Sequence, residues 1–234
     1  TATQKHCKSV KNISANTQVH YYKVFHHCLN SAVIDEIITS NPMDKIKNEE
    51  KPKRRRTERA FLTIDELKIL SQTDFHNATL KKAFLFSCFC GLRHSDIVAL
   101  TWGNLKKGKV GKMELHMTQQ KTQEILSLPL SKEALKQLPV RGKVPDTEKV
   151  FKGLISLGRT NEILPKWAAK AGIQKHITFH SARHTHATMM ITLGADLYTV
   201  SKLLGHTNIQ TTQIYAKIVD ESKEKAIDLI PDIT

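Results

Sequence analysis

A chain of 234 residues with 40% hydrophobic content is long enough to bury one sizeable core and part of a second. Its 36 Lys and Arg against 22 Asp and Glu leave a formal charge of +14, a self-repulsion tolerated where a polyanion supplies counter-charge, so nucleic acid is the expected partner and a merely solvated basic surface the alternative. No apolar run long enough to span a membrane is present, no signal peptide opens the chain, and Cys7, Cys28, Cys88 and Cys90 include no CxxC pair; the expectation is a soluble, cytoplasmic, nucleoid-associated protein in a reducing compartment.

Residues 14–38 read as one amphipathic helix, with Val19, Tyr22, Phe25, Leu29, Val33 and Ile37 spaced by three or four, candidate N-caps in Ser14, Asn16 and Thr17, and a stop at Asn41-Pro42. One helix cannot bury its own apolar stripe, so a preceding segment or a partner is expected against it. The run NEEKPKRRRTER carries charge and a proline without apolar periodicity and reads as a linker. The expected division is therefore 1–47, a linker over 48–59, and a larger domain over 60–234. Within the linker, Lys53, Arg54, Arg55 and Arg56 are candidate DNA-backbone contacts; a solvated tether is the other reading, and the tract 51–56 also resembles a nuclear-import signal.

Thr63 and Glu66 form a capping box for TIDELKIL, and residues 80–90 continue as an apolar helix ended by Gly91. Met113, Leu115 and Met117, then Leu126, Leu128 and Leu130, alternate on either side of a polar turn at 119–122, which predicts a small antiparallel hairpin. Ser131 caps SKEALKQL, and another helix runs over about 160–171 with Pro165 as a kink or start. Thr178 opens a helix reaching Leu193, and two shorter helices over about 196–204 and 208–218 flank Gly205-His206. Residues 221–230 form a last short helix. The predicted class is α+β, mainly α with a small antiparallel sheet.

Breaking a phosphodiester by covalent catalysis needs a nucleophile, a sink for its proton, a donor for the departing oxygen and fixed positive charge around phosphorus. His180 and Arg183 share a helix face beside an N-terminus that favours anions, although a structural histidine is the plain alternative. Arg93, at a helix junction after Gly91-Leu92, can offer a bidentate fork, or be an ordinary surface arginine. Lys121 sits in the hairpin turn, where a lysine is ordinarily just solvated. Tyr215, on a helix whose other face carries Ile209, Ile214 and Ile218, reads by itself as a core or surface tyrosine. The twelve histidines, His180, His184 and His186 among them, lack finger-type Cys/His spacing, and only Asp96 and Asp196 offer carboxylates near these motifs. No metal or other cofactor is expected, and activity should persist in chelator.

Taken together, GLRHSDIVALTW around Arg93, MTQQKTQEILSLPL around Lys121 and HSARHTHATMMITLGADLYTVSKLLGHTNIQTTQIYAKI resemble the active-site segments of the tyrosine recombinases, the integrases that cut and rejoin DNA. The resemblance implies that Tyr215 is the nucleophile of a 3'-phosphotyrosyl link, that His180 assists proton transfer, and that Arg183 and Arg93 clamp the phosphate with Asp96 bracing Arg93. It further implies that Lys121 protonates the leaving 5' oxygen, with Lys112 and Lys132 as neighbouring competitors, and that His206 donates a hydrogen bond to the phosphate. The implied architecture is a catalytic domain preceded by the end of a helical core-binding domain, acting as a tetramer on two double-stranded DNA sites without a cofactor. Mobile-element integration and excision is the implied role. A type IB topoisomerase and a non-enzymatic helix-turn-helix regulator, the latter read in ADLYTVSKLLGHTNIQTTQIYAKI, are the alternatives.

Overall fold

The computed structural model describes residues 13–55, 59–108 and 111–215. The chain divides into two compact units, Thr1–Glu58 and Arg59–Thr234.

In the first unit, the Ser14 hydroxyl accepts from the Thr17 amide at 3.2 Å and starts α1 (Ala15–Ile34). The helix stops four residues short of the predicted end. Glu36 takes a left-handed φ of 57°, and the amides of Ile37 and Ile38 fold back onto the Ala32 carbonyl at 2.9 and 3.2 Å. The β-branched run Ile37, Ile38, Thr39 has little helix preference with which to resist that turn. Asn41 fixes the returning chain by donating to the His26 carbonyl at 3.2 Å and to Asn30 Oδ1 at 2.6 Å. No residue of α1 is buried, and Tyr21, Val24, Phe25 and Ile34 are exposed.

The second unit opens with the predicted capping box. Thr63 Oγ1 accepts from the Glu66 amide, Glu66 Oε2 accepts from the Thr63 amide, and α2 (Ile64–Gln72) follows. The apolar helix α3 (Ala78–Cys90) buries eight residues and ends at Gly91, whose φ of 72° permits the reversal that leads into α4 (His94–Ala99). The hairpin predicted between residues 113 and 130 is present as β2 (Met113–Thr118) and β3 (Ile125–Pro129). Leu115 faces Leu128 and Met117 faces Leu126. A third strand, β1 (Leu105–Lys107), pairs with β2 to give the antiparallel order β1-β2-β3. Three residues reading LKK carry no alternation, so β1 left no mark in the sequence.

After α5 (Lys132–Lys136), α6 (Leu157–Lys170) starts at a Ser156 cap, earlier than expected, which places Pro165 inside the helix rather than at its start. The central helix is α7 (Phe179–Thr192), ten of whose residues are buried. Its N-terminus is closed from two sides: Asn161 Oδ1 accepts from the Phe179 amide at 2.9 Å and Ser181 Oγ from the Thr178 amide at 3.0 Å. Phe84 of α3 meets Trp167 of α6 and Phe179 of α7 edge-on at centroid distances of 6.0 and 5.9 Å. Asp196 caps α8 (Leu197–Leu204), which ends at Gly205 with φ 63°.

Beyond Gly205, the described part of the α-helix predicted over 208–218 forms two 3₁₀ turns instead, Ile209–Thr211 and Gln213–Tyr215. Asn208 takes the Gln210 amide at 2.8 Å, and Thr212 directs its hydroxyl at His206, so the local polar side chains favour tight turns over a continuous helix. Residues 216–218 and the predicted helix over 221–230 lie outside the described residues. Among the described residues no helix is long and apolar enough to cross a membrane.

Candidate active site

The left-handed turn at Gly91 does two jobs. Its carbonyl accepts from Arg183 Nη1 at 2.8 Å, and the chain it redirects delivers Arg93 to the head of α4. Asp96, wholly buried, accepts from the Arg93 amide at 3.2 Å and lies 3.8 Å from Arg93 Nη1. Its other oxygen accepts from the Gln120 amide at 2.8 Å. One carboxylate therefore braces both Arg93 and the β2–β3 turn.

That turn holds Lys121 at the surface, between residues tied at the root of the hairpin. Arg93 Nη1 donates to Gln119 Oε1 at 3.0 Å, a contact the sequence reading did not anticipate.

Arg183, only 3% exposed, donates from Nη1 to Gly91 O and from Nη2 to Leu204 O at 2.6 Å. The last carbonyls of a helix lack intrahelical partners and carry the negative end of its dipole, so the C-terminus of α8 is a natural seat for a guanidinium. Burial and the neighbouring Arg93 lower the Arg183 pKa to about 10, which still leaves it charged at neutral pH.

His180 and His184 lie one turn apart on α7 with rings edge-to-face at 4.6 Å. Partial burial, then the charges of Arg183, Arg59, Arg93 and Lys121, depress His180 to about 4. His206 follows Gly205, and its Nδ1 pairs with Thr212 Oγ1 at 2.8 Å. Burial, Arg183, Arg93 and His180 hold His206 near 4 as well.

Tyr215 is 5% exposed and packs among Ala187, Ile191, Val200 and Leu204. Its Oη lies 2.6 Å from His184 Nδ1. Burial, then repulsion from His180, Arg59, Arg183 and His206, holds His184 near 3, so the imidazole that pairs with the phenol is neutral. Burial lifts Tyr215 to about 12, while Arg183 and Arg59 pull the other way.

The fold thus gathers Arg93, Lys121, His180, Arg183, His206 and Tyr215 around the N-terminal half of α7 and the C-terminus of α8. Sequence reasoning missed Gln119, the His184 contact and Arg59, whose charge bears on His180, His184 and Tyr215. A signal for Gln119 existed: inward positions of β2 recur every second residue, and 119 continues the series of Leu115 and Met117 with a polar side chain. Lys53, Arg54 and Arg55 are exposed in the first unit, where Asn16 grips the Arg55 main chain by two bonds of 3.0 Å; Arg56 lies outside the described residues.

Five histidines held below their ordinary pKa by burial, His94 and four shifted further, make folding pH-dependent in a defined direction. His180, His184, His186 and His206 bind protons more readily unfolded than folded, so stability is complete above about 6.5 and is lost as pH falls towards 4 and below. The expected result is a thermal midpoint that drops steeply between pH 6.5 and 4 at fixed ionic strength, with net proton uptake on unfolding at pH 5. A midpoint flat across that range contradicts the burial of these rings.

Chemically the site sets two hydrogen-bonded guanidinium groups beside a sequestered phenol. The sequence model of the phage integrase family matches residues 60–222, and the chain belongs to that family. A tyrosine recombinase of Pseudothermotoga lettingae is 30% identical over 83% of this chain and 68% of its own length. Tyrosine recombinase XerC of Caldanaerobacter subterraneus subsp. tengcongensis is 30% identical over 84% of this chain, which spans 57% of that protein. Among solved structures, a Tn1549 transposon integrase in complex with circular intermediate DNA superposes with a TM-score of 0.67 over 92% of this chain and 78% of its own, at 18% identity. A lambda integrase dimer bound to a COC' core site gives 0.67 over 86% and 73%, at 19% identity. The fold is that of the tyrosine recombinase catalytic domains.

Proposed function

We propose that this protein is a site-specific DNA recombinase that cuts and rejoins strands through a 3'-phosphotyrosyl intermediate, in mobile-element integration and excision. The supporting observation is the closeness of two braced arginines, with a tyrosine hydroxyl in the field of one of them. Tyr215 Oη attacks phosphorus, with His180 assisting removal of its proton. The bond to the 5' oxygen breaks, and Lys121 supplies the proton that the departing oxygen takes up. Arg93, Arg183 and His206 hold the non-bridging oxygens, where fixed positive charge stabilises the pentacoordinate state. Rejoining runs in reverse: a 5' hydroxyl displaces the phenol and restores the phosphodiester, so no nucleotide cofactor is consumed.

A phenol with a pKa near 10 is ionised to about one part in a thousand at neutral pH, a deficit of about 4 kcal/mol. Burial enlarges that deficit in the DNA-free chain. Entry of a phosphate between the arginines therefore has to accompany release of Tyr215 from His184. Residues 1–47 serve as the end of a core-binding domain, the linker residues Lys53, Arg54, Arg55 and Arg56 grip DNA phosphates, and the working assembly is a tetramer on two duplexes in the cytoplasm, at the nucleoid.

The helix-turn-helix alternative loses its recognition element, because short 3₁₀ turns follow Gly205 among the described residues. The deciding experiment is incubation with nicked suicide duplexes built from DNA flanking the encoding gene, followed by a denaturing gel. A recombinase yields a protein-linked DNA band in the presence of chelator; a regulator yields none.

A further inference from the structure

A buried primary amide has to find partners for one oxygen and two N–H groups. Gln119, with no exposed surface, finds partners for the oxygen and for one N–H in three different parts of the site. Its Oε1 accepts from Arg93 Nη1 at 3.0 Å and from Thr122 Oγ1 at 2.9 Å, and its Nε2 donates to Leu204 O at 3.1 Å. The same Leu204 carbonyl receives Arg183 Nη2. The Gln119 main chain closes the turn as well, donating to Glu124 O at 2.8 Å and accepting from the Gln123 amide at 2.9 Å.

The site is shaped around this side chain. A Cβ added at Gly205 would stand 2.8 Å from Gln119 Nε2, so the close approach of α8's end to the amide requires glycine there, in addition to the left-handed φ of 63°. Lys121 is exposed, so packing around its own side chain does not fix its position. The turn's root does, through Gln119 and through the bond from the Gln120 amide to Asp96.

We propose that Gln119 is a positioning residue that registers the Lys121 turn against the arginine pair, so that the proton donor and the phosphate clamp meet the same phosphodiester. The proposal rests on the recombinase reading above. It adds that the alignment of the acid depends on a side chain that touches neither DNA nor the reacting atoms. A misplacement of about 1 Å in such a constellation costs about 10²-fold in rate, comparable to losing much of a general acid's contribution.

The test compares Gln119→Leu, which keeps the bulk and removes the amide, with Gln119→Glu, which keeps acceptors for Arg93 and Thr122 and loses the donor to Leu204. Each is assayed for tyrosyl-adduct formation on suicide duplexes whose scissile 5' bridging atom is oxygen or sulfur. A thiolate departs without being protonated, so the sulfur-bridged duplex does not need the acid. On oxygen-bridged DNA both variants should be slower than the parent by about 10- to 100-fold, with DNA affinity within about threefold. On sulfur-bridged DNA at least about tenfold of that loss should return. An equal loss on the two duplexes, or no loss on the first, overturns the proposal. If Gln119→Leu does not fold, the Gln119→Glu comparison decides alone. Absence of any adduct from the parent protein on both duplexes instead removes the recombinase reading itself.

Discussion

Tyr215→Phe should abolish the protein-linked DNA band, by at least about 10³-fold, while leaving DNA binding intact. The substitution deletes one oxygen and its bond to His184 Nδ1 but keeps the ring among Ala187, Ile191, Val200 and Leu204. Losing one partner of a buried hydrogen bond costs about 1–3 kcal/mol, so the folded state should survive with a thermal midpoint lowered by a few degrees. Tyr198, 61% exposed on α8, is the built-in control, and Tyr198→Phe should retain the full band. A band that persists in Tyr215→Phe and vanishes in Tyr198→Phe would move the nucleophile to the other phenol.

Arg183→Lys should show the second large effect. A guanidinium spans the carbonyls of Gly91 and Leu204 with two different nitrogens and keeps further N–H groups for a phosphate, which a single ammonium cannot do. One carbonyl is left short of a donor at about 1–3 kcal/mol, and adduct formation should fall by about 10²–10³-fold, as when one preorganised donor is removed from a charge-stabilising site. Suicide-duplex kinetics together with a melting curve separate the two losses. An unaltered rate at a reduced midpoint would make Arg183 a brace for the end of α8 alone.

The parts of this molecule that were legible in its sequence are those whose physics is local. Thr63 with Glu66, and Gly91 and Gly205 after their helices, each fix a boundary through bonds to residues a few positions away. The hairpin declared itself through alternation. The end of α1 and the 3₁₀ turns before Tyr215 were misread because apolar spacing continued where the backbone did not; side chains such as Asn41 and Asn208 captured main-chain groups instead.

In the site, residue types were legible and their partners were not. Arg183 is separated from Gly91 by 92 residues, and Gln119 from Leu204 by 85, and both bond to main-chain carbonyls that any residue carries. His184 was visible only as one more histidine on α7. Its link to Tyr215 depends on α8 returning the chain across the face of α7.

The crowding at the two left-handed glycines limits how this catalytic domain can be re-engineered. Any side chain at 205 intrudes on Gln119, and any at 91 comes within 2.8 Å of Leu204 Cδ2 and 2.9 Å of His186 Cδ2. Positions 91, 119, 186, 204 and 205, scattered through the sequence, therefore behave as one mutational unit, and libraries seeking altered target choice should leave them fixed together or diversify them jointly.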